Sequence, residues 1–99
     1  MATEHDLQSK ILKLIEYRGG YALNQPASAV LARGTSDVIA CYRGRFLALE
    51  VKKDVNGTYG LTGAQKIRLK QVGAAGGVAR SVDRLETVAA ILDWLDYQG

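Results

Sequence analysis

The chain has 99 residues, 47% of them hydrophobic, and its 13 Lys and Arg against 10 Asp and Glu give a net charge of +3. This length predicts a single small domain, residues 1–99, with a thin core. With no apolar run of about 18 residues, no signal-peptide pattern and only one cysteine, we expect a cytoplasmic protein without membrane spans or disulfides. The slight positive excess permits nucleic-acid binding without demonstrating it.

The first predicted element is a helix over Glu4–Tyr17, where apolar residues recur at helical spacing until Gly19-Gly20 ends it. Glu4 has two interpretations. An acid in the first turn stabilises the helix dipole. Glu4 also lies one turn before Leu7, at the edge of the core-facing side, from which it could reach a site on the sheet. A short strand over residues 21–25 follows, ended by Pro26.

Residues 27–36 form the longest predicted loop, which contains Arg33. Arg33 could contact a phosphate, although a lone surface arginine is more often simply solvated. Two apolar runs then flank Gly44-Arg45, which predicts a β-hairpin with those two residues as its loop. Because both strands are apolar on both faces, we expect helices on both sides of the sheet and Cys41 as a small buried hydrophobe.

In that register Asp37 pairs with Lys52, and Glu50 shares a face with Lys52 because the two are two residues apart. Two carboxylates and an ammonium therefore meet at one end of the hairpin. A structural ion pair is one explanation. The other is a divalent-metal site, in which oxygens of Asp37, Glu50 and the Val51 carbonyl hold Mg²⁺ or Mn²⁺. A metal-activated water, with Lys52 stabilising developing negative charge, would suit phosphodiester hydrolysis.

The next helix begins near Thr62, and Gln65 fits either a capping box with Thr62 or a role at the site. Three apolar residues of this helix can face the core, and three basic ones can line its outer face: Ile67, Val72 and Ala75, then Lys66, Arg68 and Lys70. Glycines end it. A strand over Val78–Val82 and a helix capped by Asp83 complete the chain. The last helix has an apolar stripe, with Trp94 and Tyr97 as core or interface anchors.

The predicted order is α-β-β-β-α-β-α, an α/β fold with a mixed central sheet flanked by helices. No Cys/His metal set and no nucleophile motif accompany it. With Asp37, Glu50-Val51-Lys52 and a preceding helix carrying Glu4, the chain resembles the PD-(D/E)XK nuclease core, which is restriction-endonuclease-like. Within that superfamily it is similar to the VRR-NUC (virus-type replication-repair nuclease) domains.

Three further features carry the resemblance: Gly34-Thr35-Ser36-Asp37, the Leu61-Thr62-Gly63-Ala64-Gln65 helix start, and a later glycine-rich turn before a short strand. Ser36 stands where the family often has proline, at a position that is not a ligand. The resemblance implies a Mg²⁺- or Mn²⁺-dependent DNA endonuclease of phage or bacterial origin. Small members of the family resemble Holliday-junction resolvases that act as homodimers on branched DNA.

The resemblance also implies a role for each matching residue. Asp37 and Glu50 would be metal ligands and Lys52 the catalytic lysine, while Glu4 would lie in the outer metal shell and Gln65 would support the site. DNA contacts are expected from five basic residues: Arg33, Lys53, Lys66, Arg68 and Lys70. A dimer could form through residues 27–31, or through Trp94, Leu95 and Tyr97.

Two other classes of function stay open. One is a DNA-binding module with a decayed nuclease fold, against which the intact Asp, Glu and Lys set argues. The other is a structural or interaction protein whose charged cluster is an ion-pair network.

Overall fold

A computed structural model describes residues 4–25, 37–52 and 63–98, with Glu4 described only in its backbone. These ranges contain three helices and four strands: α1 (Glu4–Tyr17), β1 (Tyr21–Asn24), β2 (Val38–Tyr42), β3 (Arg45–Val51), α2 (Gly63–Ala74), β4 (Val78–Val82) and α3 (Leu85–Gln98). The order confirms the predicted mixed α/β fold, and the bounds of α1 and β4 agree with the prediction. None of the helices in the described ranges combines the length and the apolar character needed to cross a membrane.

The sheet has the strand order β1-β2-β3-β4. The first three strands form an antiparallel meander, and β4 lies parallel to β3. A parallel pair needs a crossover connection, and α2 lies within it. The sheet is therefore mixed, as predicted, with β3 between an antiparallel and a parallel neighbour.

The end of α1 shows how a local pattern fixes a boundary. Gly19 has a φ of 94°, and the N–H groups of Gly20 and Gly19 donate to the carbonyls of Ile15 at 2.9 Å and Glu16 at 3.0 Å. These two bonds form a Schellman motif, which needs a left-handed residue at Gly19. A Cβ on Gly20 would lie 2.6 Å from Cγ2 of Ile15, so packing requires the second glycine as well.

The core lies on the face of the sheet that α1 and α3 cover. Alternate residues of β2 and β3 point to this face because side chains alternate along a strand. The principal buried members from the three layers are Leu7, Ile11 and Ile15 of α1, Val38, Leu47, Leu49 and Val51 of the sheet, and Val88, Ile91, Leu92 and Leu95 of α3. The predicted apolar stripe of α3 is confirmed at Val88, Leu92 and Leu95, and Ile91 is buried with them.

The predicted helices on both sides of the sheet are present, but among the described residues the opposite face is covered only in part. Helix α2 packs against β3 and β4 and has no buried residue. A helix is about 10 Å across, whereas four strands about 4.8 Å apart are wider. No described helix packs over β1 and β2 on this face, and this open part has Tyr21 64%, Leu23 42% and Phe46 46% exposed. Cys41 is exposed on this surface and is not the buried hydrophobe predicted.

The hairpin loop is Arg43-Gly44 rather than Gly44-Arg45. Tyr42 pairs with Arg45, and the φ values of Arg43 and Gly44 are 54° and 77°. Positive φ at both central positions is typical of a type I′ turn, in which glycine favours the second position. Since Val38 pairs with Leu49, Asp37 comes opposite Glu50 and not Lys52. The predicted strand pairing is therefore wrong by two residues. A shift by an even number of residues leaves every side chain on its predicted face.

A charged network joins three elements at the turn end of the hairpin. Arg18 Nη2 donates to Asp93 Oδ1 and to Asp96 Oδ2, both at 2.7 Å. Asp96 Oδ1 accepts hydrogen bonds from Tyr42 Oη at 2.7 Å and from Arg43 Nε at 2.9 Å. Asp96 thereby ties the end of α1 and the hairpin turn to α3.

This network makes the free energy of unfolding depend on pH in the acidic range. The hydrogen bonds from Tyr42, Arg18 and Arg43 lower the pKa of Asp96 from 3.8 to about 2. The folded state then takes up this proton less readily than the unfolded chain, so the stabilisation is complete above about pH 4 and is lost toward about pH 2. We expect urea denaturation to show Asp96→Asn less stable than wild type at neutral pH, with the gap closing in that window. A gap that stays constant on acidification, or one reproduced by the exposed Glu16→Gln, would contradict this role.

Candidate active site

Asp37 is held at the start of β2 by contacts on both sides. Its backbone carbonyl accepts a hydrogen bond from Gln25 N at 2.7 Å. Its side-chain Oδ2 accepts one from Val51 N at 2.9 Å, which lies at the end of β3. The carboxylate therefore stands between the ends of two strands, half-buried, in a fixed position.

Glu50 is the buried acid of the site, with 1% of its surface exposed. Oε1 accepts a hydrogen bond from Gln65 Nε2 at 2.7 Å. Gln65 lies in the first turn of α2, so the bond ties that helix to the sheet. The structure thus shows Gln65 in contact with the predicted site. Thr62, its partner in the alternative capping box, lies outside the described residues.

The last residues of β3 direct their side chains and backbone groups in alternating directions. Lys52 N donates to Val82 O at 2.8 Å, which extends the ladder with β4 by one step. Lys52 therefore keeps the strand alternation and shares the face of Glu50. Backbone polar groups alternate between the edges of a strand, so those of Val51 point away from β4 and toward Asp37. We expect the Val51 carbonyl, like its N–H, to lie on the Asp37 side.

Ser81 is a site neighbour that the sequence analysis missed. It is the parallel partner of Glu50, so the two side chains share one face of the sheet. Its Oγ is buried and has no hydrogen-bond partner among the described residues. Only the register of β4 against β3 reveals this neighbour, because the two positions are far apart in the chain.

Glu4 begins α1, and nothing is described of its side chain. Arg18, just past the other end of α1, contacts the network at Tyr42 and Asp96. A helix of 14 residues is about 21 Å long. The start of α1 therefore lies toward the end of the sheet that carries Asp37.

The predicted DNA-contacting residues of α2 are exposed and divide into two groups. Lys66 and Lys70 are four residues apart and share one flank of the helix. Arg68 lies on the other flank, where Nη1 is 3.4 Å from Gln71 Oε1. Ile67 is 59% exposed, so the prediction that it faces the core is wrong. Arg33 and Lys53 lie outside the described residues.

The donor set suits a hard divalent cation. Across residues 4–25, 37–52 and 63–98, no three His, Cys, Asp or Glu side chains converge. Asp37 and Glu50 supply two carboxylates, and the Val51 carbonyl would be a third oxygen donor. Mg²⁺ takes one or two carboxylates and completes its shell with waters and phosphate oxygens, so the set fits Mg²⁺ or Mn²⁺ better than Zn²⁺.

No model of a protein family matches the chain, and no curated protein matches it. The side chains of the site are therefore the basis for assigning a function.

Proposed function

We propose that this chain is a metal-dependent DNA endonuclease with a PD-(D/E)XK core of the VRR-NUC kind. The observation that carries the proposal is the placement of Asp37 and Glu50 at adjacent strand ends, with Lys52 on the face of Glu50. The order of three helices and four strands and the mixed sheet agree with what the resemblance implies.

Each side chain has a defined task in this proposal. Asp37, Glu50 and the Val51 carbonyl would hold the cation, while Gln65 and the Val51 N–H orient the two carboxylates. A bound Mg²⁺ or Mn²⁺ would lower the pKa of a water and neutralise charge on the scissile phosphate. Lys52 places a positive charge where the phosphate becomes more negative in the transition state.

A catalytically weak DNA-binding module is the second candidate. The exposed flank of Lys66 and Lys70 favours it, because phosphate contacts need only such cations. This candidate does not require the buried Glu50 or its bond to Gln65. The nuclease requires a bound metal ion for cleavage, whereas the DNA-binding module requires none.

The decisive experiment is cleavage of labelled linear, flap and four-way-junction DNA with Mg²⁺, with Mn²⁺ and with a chelator. We expect cleavage only with metal, and branched DNA as the preferred substrate. We also expect either metal to raise the melting temperature, because a ligand of the native state stabilises it. DNA binding without cleavage of any substrate in either metal would reject the nuclease and favour the binding module.

The proposed nuclease acts as a homodimer, because one site cuts one strand and a twofold dimer supplies two. Of the anchors predicted in α3, Leu95 is 2% exposed and belongs to the core, whereas Trp94 is 50% and Tyr97 91% exposed. The predicted contact at residues 27–31 lies outside the described residues. The open sheet surface offers a further apolar contact at Leu23 and Phe46, which line the same pocket. We assign the dimer interface to that surface.

Light scattering at micromolar protein tests this assignment. We expect a dimer for wild type and for Tyr97→Lys, and a monomer for Leu23→Lys, because a buried unpaired charge opposes association. Mixed dimers of wild type and Glu50→Gln should nick only one strand of a junction. Dissociation by Tyr97→Lys alone would place the interface on α3, and a monomer that cuts both strands would reject the dimer.

A further inference from the structure

A groove of about 670 Å³ lies between β4 and α3, on the face of the sheet opposite Glu50. Its apolar lining comes from Val78, Ala90 and Ile91. Ligand sites in proteins have volumes of roughly 300–1,000 Å³. The groove therefore has room for a small ligand or one unit of a polymer.

One wall of the groove carries Trp94, the only tryptophan of the chain. Its side chain is 50% exposed although the neighbouring Ile91 and Leu95 are buried. A half-exposed indole beside an apolar lining offers a flat surface on which a planar ring can stack.

The charged residues that line the groove are two arginines and one glutamate. Arg45 Nε donates to Gly76 O at 3.1 Å, which anchors the side chain and leaves its terminal nitrogens available. Arg80 is exposed and makes no hydrogen bond or ion pair to a residue that the structure describes. Glu86 is the one carboxylate in the lining. Each guanidinium group suits a phosphate, which it binds through paired hydrogen bonds.

We propose that this groove binds one nucleotide of single-stranded DNA, with its base stacked on Trp94 and the phosphates on the two sides of that nucleotide at Arg45 and Arg80. Stacking on aromatic side chains beside a cationic groove is how proteins hold single strands. An apolar ligand would leave both guanidinium groups without a partner, and an acidic peptide would leave the indole surface unused. The choice of DNA as the source of the nucleotide rests on the proposed nuclease function.

The groove is separate from the carboxylate site. Arg45 lies five residues before Glu50 on β3, about 17 Å along the strand, whereas Arg80 pairs with Leu49 and is level with the site. The sheet itself separates the two places, because Arg45 and Arg80 point to one face and Glu50 points to the other. A flap substrate has an unpaired strand beside the duplex, and the groove would hold that strand beyond the edge formed by β4.

Fluorescence of Trp94 reports on the groove directly, because no other tryptophan contributes. We expect a short single-stranded oligonucleotide, added without divalent metal, to quench this emission to saturation. The free mononucleotide should quench it only at higher concentration, since it carries a phosphate on one side of the nucleotide where the strand has one on each side. Absence of quenching by the oligonucleotide would overturn the proposal. Equal affinity for the mononucleotide would also overturn it and indicate a site for free nucleotides.

Matched variants separate the groove from general charge effects. By anisotropy of a labelled strand, we expect Trp94→Ala to weaken binding about tenfold. Tyr97→Ala, an exposed aromatic of the same helix outside the groove, should leave binding unchanged. Arg80→Ala should reduce the salt slope of binding by about one, and Lys13→Ala should not. Thermal unfolding verifies that each variant is folded, and wild-type affinity in Trp94→Ala would refute the groove.

The two proposals can fail independently. Metal-dependent cleavage that Glu50→Gln abolishes, without quenching of Trp94 by single strands, would reject the groove and retain the nuclease. Quenching by single strands in a protein that cuts no DNA in Mg²⁺ or Mn²⁺ would reject the nuclease and retain a single-strand binding site.

Discussion

Asp37→Asn and Glu50→Gln are each expected to abolish metal-dependent cleavage, with losses of at least about 10²–10³-fold. Both substitutions remove a negative charge that holds the cation while preserving shape. The new amide oxygen at position 37 can still accept from Val51 N, and that at position 50 can still accept from Gln65 Nε2. Loss of activity would then report the missing charge rather than a lost contact.

The same variants should remain folded, which urea denaturation without metal can measure. Burying an ionised carboxylate is costly, so we expect Glu50→Gln to be at least as stable as wild type. Neither variant should gain melting temperature on addition of Mg²⁺ or Mn²⁺. Glu16→Gln, an exposed site on α1, is the matched control and should cleave normally. Undiminished cleavage by Asp37→Asn after metal is removed and restored would refute the site.

Lys52→Ala is expected to lower the cleavage rate at saturating DNA by about 10²–10³-fold. DNA affinity should change by only a few fold, because we assign Lys52 to charge that develops in the transition state. Metal affinity should stay the same or rise, since one positive charge beside Glu50 is removed. Single-turnover cleavage, DNA binding in Ca²⁺ and a metal titration measure the three quantities separately.

Lys70→Ala is the contrasting variant because Lys70 lies on the exposed flank of α2. We expect it to weaken DNA binding and to reduce the salt slope by about one, with an unchanged rate at saturating DNA. If Lys52→Ala reduces binding and cleavage by the same factor, Lys52 is a phosphate anchor and its assignment here is wrong.

The sequence was most informative where one short segment contains the whole signal. Helical spacing and the glycine pair predicted the bounds of α1, and the alternation of β3 predicted that Glu50 and Lys52 share a face. The hairpin loop was placed one residue too late, which shifts the strand pairing by two residues and therefore keeps Asp37 on the predicted face. The ordered set Asp37, Glu50 and Lys52 likewise lies in two short segments, and its catalytic role stays a prediction.

Tertiary structure decided the features that join distant segments. The bond from Gln65 to Glu50 and the burial of Ser81 beside Glu50 depend on how α2 and β4 pack against β3. The choice of Asp96 as the partner of Arg18 and Tyr42 links residues 78 and 54 positions apart. Local periodicity carries no information on such pairs, because it specifies which face a side chain occupies and not what packs against that face. The open half of the sheet and the groove at Trp94 have the same origin, since both depend on how much of the sheet each helix covers.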